Sequence, residues 1–100
     1  MYKHKETKQV LKDWEKIKSM SKLAKDKFKY FIVDILENPR NLNTVGKPEE
    51  LKYKNIETWS RRLSYNDRIV YEIKPGSDYG TPEEDEIVVF LQYLGHYEDK

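Results

Sequence analysis

ETWSRRLSYNDRIVYEIK, residues Glu57 to Lys74, is the stretch whose reading decides the fold. Trp59, Arg61, Leu63 and Tyr65 alternate with Ser60, Arg62 and Ser64, the two-residue period of a strand with two faces. Asn66-Asp67 is a tight-turn pair. Beyond it Ile69, Tyr71 and Ile73 fall opposite Arg68, Val70 and Glu72. Two alternating runs about one turn predict a β-hairpin with an apolar face and a polar one.

Working downstream, Pro75 to Pro82 carries Gly76 and Gly80 and reads as a long connection. Ile87 to Leu94 (IVVFLQYL) is apolar on both faces, which predicts a central strand. Working upstream, Gly46-Lys47-Pro48 is a loop, and Glu50 to Tyr53 is a candidate short strand. From Thr7 to about Ser19, Val10, Leu11, Trp14 and Ile17 recur at helical spacing among lysines and acids. Ser21 is a candidate N-cap for a second helix, with Ala24, Phe28, Phe31, Ile32, Ile35 and Leu36 as its apolar stripe. Asn38-Pro39 stops that helix, because a residue before proline is pushed out of the helical region. Residues 2–5 are a candidate edge strand. Helices first and consecutive strands after predict an α+β fold, an N-terminal helical hairpin packed on a small antiparallel β-sheet. Residues 1–100 read as a single domain of 12.1 kDa.

Hydrophobic and charged residues each make up 37% of the chain and aromatics 13%, so a folded core lies under a heavily charged surface. The chain has no Cys, which removes disulfides, thiolate metal sites and a cysteine nucleophile. Its two histidines, His4 and His96, are too far apart in sequence to suggest a metal site, and His4 reads as a surface residue. No apolar run approaches the roughly 20 residues of a membrane span, so no membrane partner and a cytoplasmic location are expected. The net charge of +1 is a cancellation: residues 1–30 carry ten Lys and four acids, and residues 75–100 carry one Lys and seven acids. Asymmetry of this kind concerns partners more than fold.

Three stretches carry candidate chemistry: Gly46 to Lys52 (GKPEELK), Trp59 through Arg68, and Gly95-His96-Tyr97. They supply a carboxylate, guanidinium groups and an imidazole. Cleaving RNA through its own 2′-hydroxyl needs a base, cations for the dianionic phosphorane, and an acid for the departing 5′-oxygen. Each residue taken singly also has an ordinary reading. A Glu in a lysine-rich loop is usually solvated, and an Arg on a strand face usually solubilises or pairs with an acid such as Glu72. Trp59 and Tyr71 read as core.

The order and spacing of the three stretches resemble the Txe/YoeB toxins of the RelE-like superfamily of ribosome-dependent mRNA interferases. The likeness is dense from Gly46 to Tyr71 and again at His96-Tyr97. It implies a RelE-like, microbial-ribonuclease-like fold with no metal and no cofactor. By position it makes Glu49 the general base, Arg68 the transition-state arginine, His96 the general acid and Tyr97 its aromatic neighbour. It matches Lys52 and Arg62 to residues that contact the RNA backbone. The implied partners are a cognate antitoxin protein, the ribosome with its mRNA, and a second copy of the chain in a homodimer. The implied products are a 2′,3′-cyclic phosphate and a 5′-hydroxyl.

Three features depart from the family pattern. Glu98-Asp99-Lys100 follow the His-Tyr pair, and the connection before the last strand holds Asp78, Glu83, Glu84, Asp85 and Glu86. Such an acidic block repels RNA if it lies near the cleft. Strict alternation also sets Glu49 and Lys52 on opposite faces of one strand, so Glu49 belongs in the preceding loop or the strand twists. The alternative function is a non-catalytic RelE-fold inhibitor that binds a protein target such as a topoisomerase.

Overall fold

In the computed structural model, which describes residues 1–52, 54–82 and 85–96, the hairpin read from Glu57 to Lys74 is the middle of a five-stranded sheet. Strand β1 (Lys3–Glu6) leads into helix α1 (Lys8–Ile17) and helix α2 (Lys22–Glu37). Strands β2 (Glu49–Glu50), β3 (Thr58–Arg62), β4 (Arg68–Pro75) and β5 (Glu86–Gln92) follow. The strand order is β1-β5-β4-β3-β2. All neighbours are antiparallel except β1 and β5, which run parallel: the helical hairpin carries the chain from β1 to β2 at the opposite edge, and the meander β2-β3-β4-β5 brings it back beside β1.

Local chemistry places the helix ends where the sequence put them. The Ser21 hydroxyl accepts from the Ala24 N–H at 3.2 Å and caps α2. Asn38 closes α2 in extended backbone ahead of Pro39. The buried stripe of α1 differs from the expectation. It is Val10, Asp13 and Ile17, whereas Leu11 is exposed and Trp14 half-buried. The three-residue steps from Leu11 drift around a helix of 3.6 residues per turn, and Asp13 takes the inward position.

Registered pairing fixes the two faces of the sheet. Trp59 and Arg61 lie opposite Tyr71 and Ile69, and Tyr71 lies opposite Phe90, so these side chains share the face that the helices cover. Phe28, Phe31, Ile35 and Leu36 of α2 complete this core with Val10 and Ile17. Strand β5, expected to be central, is an interior strand between the edge strand β1 and the central β4, and it is apolar on both faces: Ile87, Val88, Val89 and Phe90 are all buried. Within the core face Arg61 is fully buried. Its guanidinium pairs with the Asp34 carboxylate of α2 and donates to the Asn38 carbonyl at 3.3 Å. Removing one member of such a pair strands a buried charge and costs about 3–5 kcal/mol. The Arg61–Asp34 pair therefore locks α2 onto β3.

Two boundaries move. The β3–β4 connection is not a two-residue turn: Leu63 and Ser64 N–H groups both donate to the Asp67 carbonyl, at 2.9 and 3.2 Å. Tyr65 stands exposed at its tip instead of on the Trp59 face. Strand β2 begins at Glu49 and ends at Glu50, one residue earlier than expected at its start; Tyr53 lies outside the described residues. Lys52 is therefore in the turn after β2, and the alternation conflict between Glu49 and Lys52 disappears.

Candidate active site

The helix-free face of the sheet gathers the charged residues singled out in the sequence. Glu49 lies opposite Ser60, Ser60 opposite Val70, and Arg62 opposite Arg68. Opposed side chains on one face have Cβ atoms about 4.5–5.5 Å apart. Arg68 Nη1 donates to Ser60 Oγ at 3.4 Å, a long bond that points the guanidinium toward the Glu49 edge. Ser60 thus stands between the carboxylate and the arginine.

Glu49 reaches this position through an unusual loop. Gly46 has φ 84° and Lys47 φ 47°, two consecutive left-handed residues. The Arg62 N–H donates to the Gly46 carbonyl at 2.6 Å, tying the loop to the end of β3. A Cβ on Gly46 would stand 2.6 Å from a ring carbon of Phe31, so both the backbone angle and the space require glycine. The loop then delivers Pro48 and Glu49 to the sheet edge, with Glu49 exposed.

The chain has four arginines, and the structure divides them evenly. Arg61 is paired with Asp34, and Arg40 with Glu57 and Glu86. Arg62 and Arg68 face one another with no carboxylate on either among the described residues. Like charges set directly opposite destabilise a sheet. The planar donors of arginine match phosphate oxygens.

His96 enters from the other side of Arg68. After β5 the chain turns through Gly95, which has φ 92°. The Arg68 N–H donates to the Gly95 carbonyl at 2.9 Å, and the Gly95 N–H donates to Asp67 Oδ1 at 2.8 Å. The Gln92 side-chain amide bridges the Arg68 and Gly95 carbonyls at 3.3 and 2.8 Å. His96 is exposed at the end of this turn, one residue past a direct backbone contact with Arg68. Tyr97 lies outside the described residues, as do Glu83, Glu84 and the terminal Glu98-Asp99-Lys100.

The structure therefore brings Glu49, Arg62 and Arg68 onto one face and sets His96 beside them. Lys52 is exposed in the turn past β2. Ser60 and Asp67 were not singled out as site residues. Alternation in the sequence sets Ser60 on the polar face, and Asp67 carries in sequence only the sign of a turn former. His4 is exposed on β1, away from the site. Farther along the helix-free face Lys54, Asn55, Ile56, Thr58, Glu72 and Leu91 line a cleft of about 190 Å³.

The acidic connection is remote from this centre. Arg68 and Pro75 mark opposite ends of β4, and seven strand steps separate them by roughly 23 Å. Glu86 is held by Arg40 at 2.6 Å, and Asp78 lies 3.8 Å from Lys74. Asp78 and Glu86 thus sit at the far end of the sheet, each beside a basic side chain of the chain itself. No group of three or more His, Cys, Asp or Glu side chains able to hold a metal occurs among the described residues. No helix there is long and apolar enough to cross a membrane.

Comparison with known proteins agrees with both fold and layout. A family model described as YoeB-like toxin of bacterial type II toxin-antitoxin system matches residues 6–97. No curated protein sequence matches the chain. A YoeB/ParE toxin from Agrobacterium tumefaciens superposes with a TM-score of 0.74 at 24% identity, covering 95% of this chain and 99% of that one. A YoeB dimer from Staphylococcus aureus gives 0.70 at 24% identity, covering 96% and 98%. A heterotetrameric YoeB-YefM toxin-antitoxin complex from the same organism gives 0.68 at 22%, covering 97% and 99%. These likenesses establish the two-helix, five-strand fold, and the family match over residues 6–97 establishes more: the chain belongs to the YoeB-like toxins of bacterial type II toxin-antitoxin systems.

Proposed function

We propose that this toxin is an endoribonuclease that cuts mRNA on the ribosome. The observation that carries the reading is the facing pair Arg62 and Arg68, without a carboxylate partner among the described residues, flanked by Glu49 on one side and His96 on the other. Glu49 removes the proton from a ribose 2′-hydroxyl, and the 2′-oxygen attacks the adjacent phosphorus. Arg68 and Arg62 hold the two negative charges of the phosphorane, with Lys52 and Arg62 also on the RNA backbone. The bond from phosphorus to the 5′-oxygen breaks as His96 delivers a proton to that oxygen, with Tyr97 as its aromatic neighbour. The products are a 2′,3′-cyclic phosphate and a 5′-hydroxyl. Each proton transfer is worth about 10²–10⁴-fold. The step balances without a metal or cofactor.

The partners of the relatives extend the proposal. One relative is a dimer and another a complex with YefM, and this toxin takes a cognate antitoxin and a second copy of itself in the same way. Leu11, Leu23, Tyr30 and Val33 are exposed on its helices, apolar surface of the kind that partner chains cover. A toxin acting on ribosomes works in the cytoplasm.

The test is cleavage of a defined message on purified ribosomes, with fragment ends mapped. The parent chain should cut and leave cyclic phosphates, and Glu49→Gln and His96→Gln should each lose about 10²-fold or more. Both variants cutting at the parent rate overturns the assigned roles. A parent that cuts nothing yet still arrests growth supports a non-catalytic inhibitor of a protein target.

A further inference from the structure

The segment that carries His96 is not part of the sheet. Strand β5 ends at Gln92, and the three following amides leave the ladder in succession. The Tyr93 and Leu94 N–H groups both donate to Asp13 Oδ2, at 2.9 and 3.3 Å, and the Gly95 N–H donates to Asp67 Oδ1 at 2.8 Å. Three consecutive backbone donors therefore end on two side-chain carboxylates.

These carboxylates come from two different elements, α1 and the β3–β4 connection. Asp13 lies on the inward stripe of α1 and is only 2% exposed. Its other oxygen accepts from the Gln9 side-chain amide at 2.9 Å. Asp67 closes the β3–β4 connection, and its second oxygen accepts from the Ser64 hydroxyl at 2.8 Å. A buried carboxylate on an apolar stripe is costly unless several donors satisfy it. An apolar residue at position 13 would leave the Tyr93 and Leu94 N–H groups without these acceptors.

The location of the anchored turn gives the arrangement its meaning. The Gly95 carbonyl accepts from the Arg68 N–H, so wherever the turn is held, His96 is held relative to Arg68. Asp67 immediately precedes Arg68 and fixes the same contact from its other end. We infer that Asp13 and Asp67 are positioning residues that clamp the 93–95 turn and so set His96 in register with Arg68. The inference rests on the nuclease reading above for its effect on rate, though the clamp itself is a property of the free protein. Misplacing a reacting group by about 1 Å can cost about 10²-fold.

The experiment pairs single-turnover cleavage on ribosomes with amide hydrogen exchange of the free toxin. Four variants are compared: Asp67→Ala, Asp67→Asn, Asp13→Leu and Asp13→Asn. Asn keeps one acceptor oxygen in each place. All measurements are made well below each variant's thermal midpoint, where circular dichroism shows it folded.

Asp67→Ala and Asp13→Leu should lower the cleavage rate constant about 10–100-fold with little change in the half-saturating ribosome concentration. Exchange should quicken at Gly95 in Asp67→Ala, and at Tyr93 and Leu94 in Asp13→Leu. The Asn variants should recover most of both. A merely structural role would instead shift the thermal midpoint and leave the rate of the folded protein alone. Folded Asp67→Ala and Asp13→Leu proteins that cut at the parent rate overturn the inference. Unchanged exchange at these amides overturns it whether or not the parent cuts. A parent that cuts no message, with exchange quickened as expected, places the failure in the nuclease reading and supports the clamp.

Discussion

Arg62 and Arg68 hold their charges in a relation that the fold alone would avoid, because guanidinium groups directly opposite on one sheet face repel. Arg62→Ala and Arg68→Ala should therefore each leave stability unchanged or raise it by up to about 1 kcal/mol. The same changes should lower cleavage by about 10²–10³-fold, the usual cost of losing one donor to a developing oxyanion. Urea midpoints measured beside cleavage rates check both halves. A variant that loses stability and activity together would place the arginine in the framework instead of the site. Strand alternation was enough to put Arg62, Arg68 and Ser60 on one face and Trp59, Tyr71 and Ile73 on the other. It could not show that Arg61 is buried, because an arginine in an alternating run looks alike on either face. Its partner Asp34 is 27 residues away, and only tertiary packing reveals the pair. Asp13 left a readable sign, a carboxylate midway between Val10 and Ile17 on a buried stripe, but its partners Tyr93 and Leu94 lie 80 and 81 residues on.

Elements were legible where local chemistry ends them, as Ser21 and Pro39 end α2, and less so where distant strands decide. Strand β2 is two residues long, and its pairing with β3 is what sets its bounds. The joint between elements that responds to pH is the Arg40 network, invisible in sequence because its three members are distributed over the chain. Arg40, just past α2, donates to Glu57 before β3 at 2.8 and 2.9 Å and to Glu86 opening β5 at 2.8 and 2.6 Å. The Trp59 indole N–H adds a bond to Glu57 at 2.8 Å. Hydrogen bonds from Arg40 hold both carboxyl groups below the ordinary glutamate value of 4.5, outweighing the opposing effect of burial. Unfolded chains therefore take up these protons first as pH falls. The stabilisation is complete above about pH 4.5 and is lost as pH drops through the lowered folded values. All three side chains are partly exposed, so solvent screening keeps the network near about 1 kcal/mol. Arg40→Met should lower the urea midpoint at pH 7 and lower it by less at pH 3. A gap of the same size at both pH values would sink the assignment.

Along the sequence the +1 net charge resolves into a basic first third and an acidic last quarter. Asp78 and Glu86 lie at the Pro75 end of the sheet, opposite Arg68, so these two acids need not oppose an RNA at the site. The basic residues of the first thirty positions are divided between two sides of the fold. Lys3 lies opposite Ile87, which lies opposite Lys74, and Lys5 opposite Val89, which lies opposite Glu72. Register therefore puts Lys3 and Lys5 on the same face as Arg68, whereas Lys12 and Lys16 are exposed on α1 in the helical layer. An RNA crossing the helix-free face gives up its condensed counter-ions to the first pair, and one docking on the helices to the second. Each phosphate neutralised adds about 0.7–0.9 to the slope of log affinity against log salt. Lys3→Gln with Lys5→Gln should thus flatten the slope for ribosome binding by about 1.4–1.8. Lys12→Gln with Lys16→Gln should leave it unchanged. The reverse result would move the ribosome to the helical hairpin, where Leu11 and Tyr30 would then compete for the same surface as a partner chain. Because the slope counts charges and not contacts, it separates the two docking sides even where both double variants weaken binding.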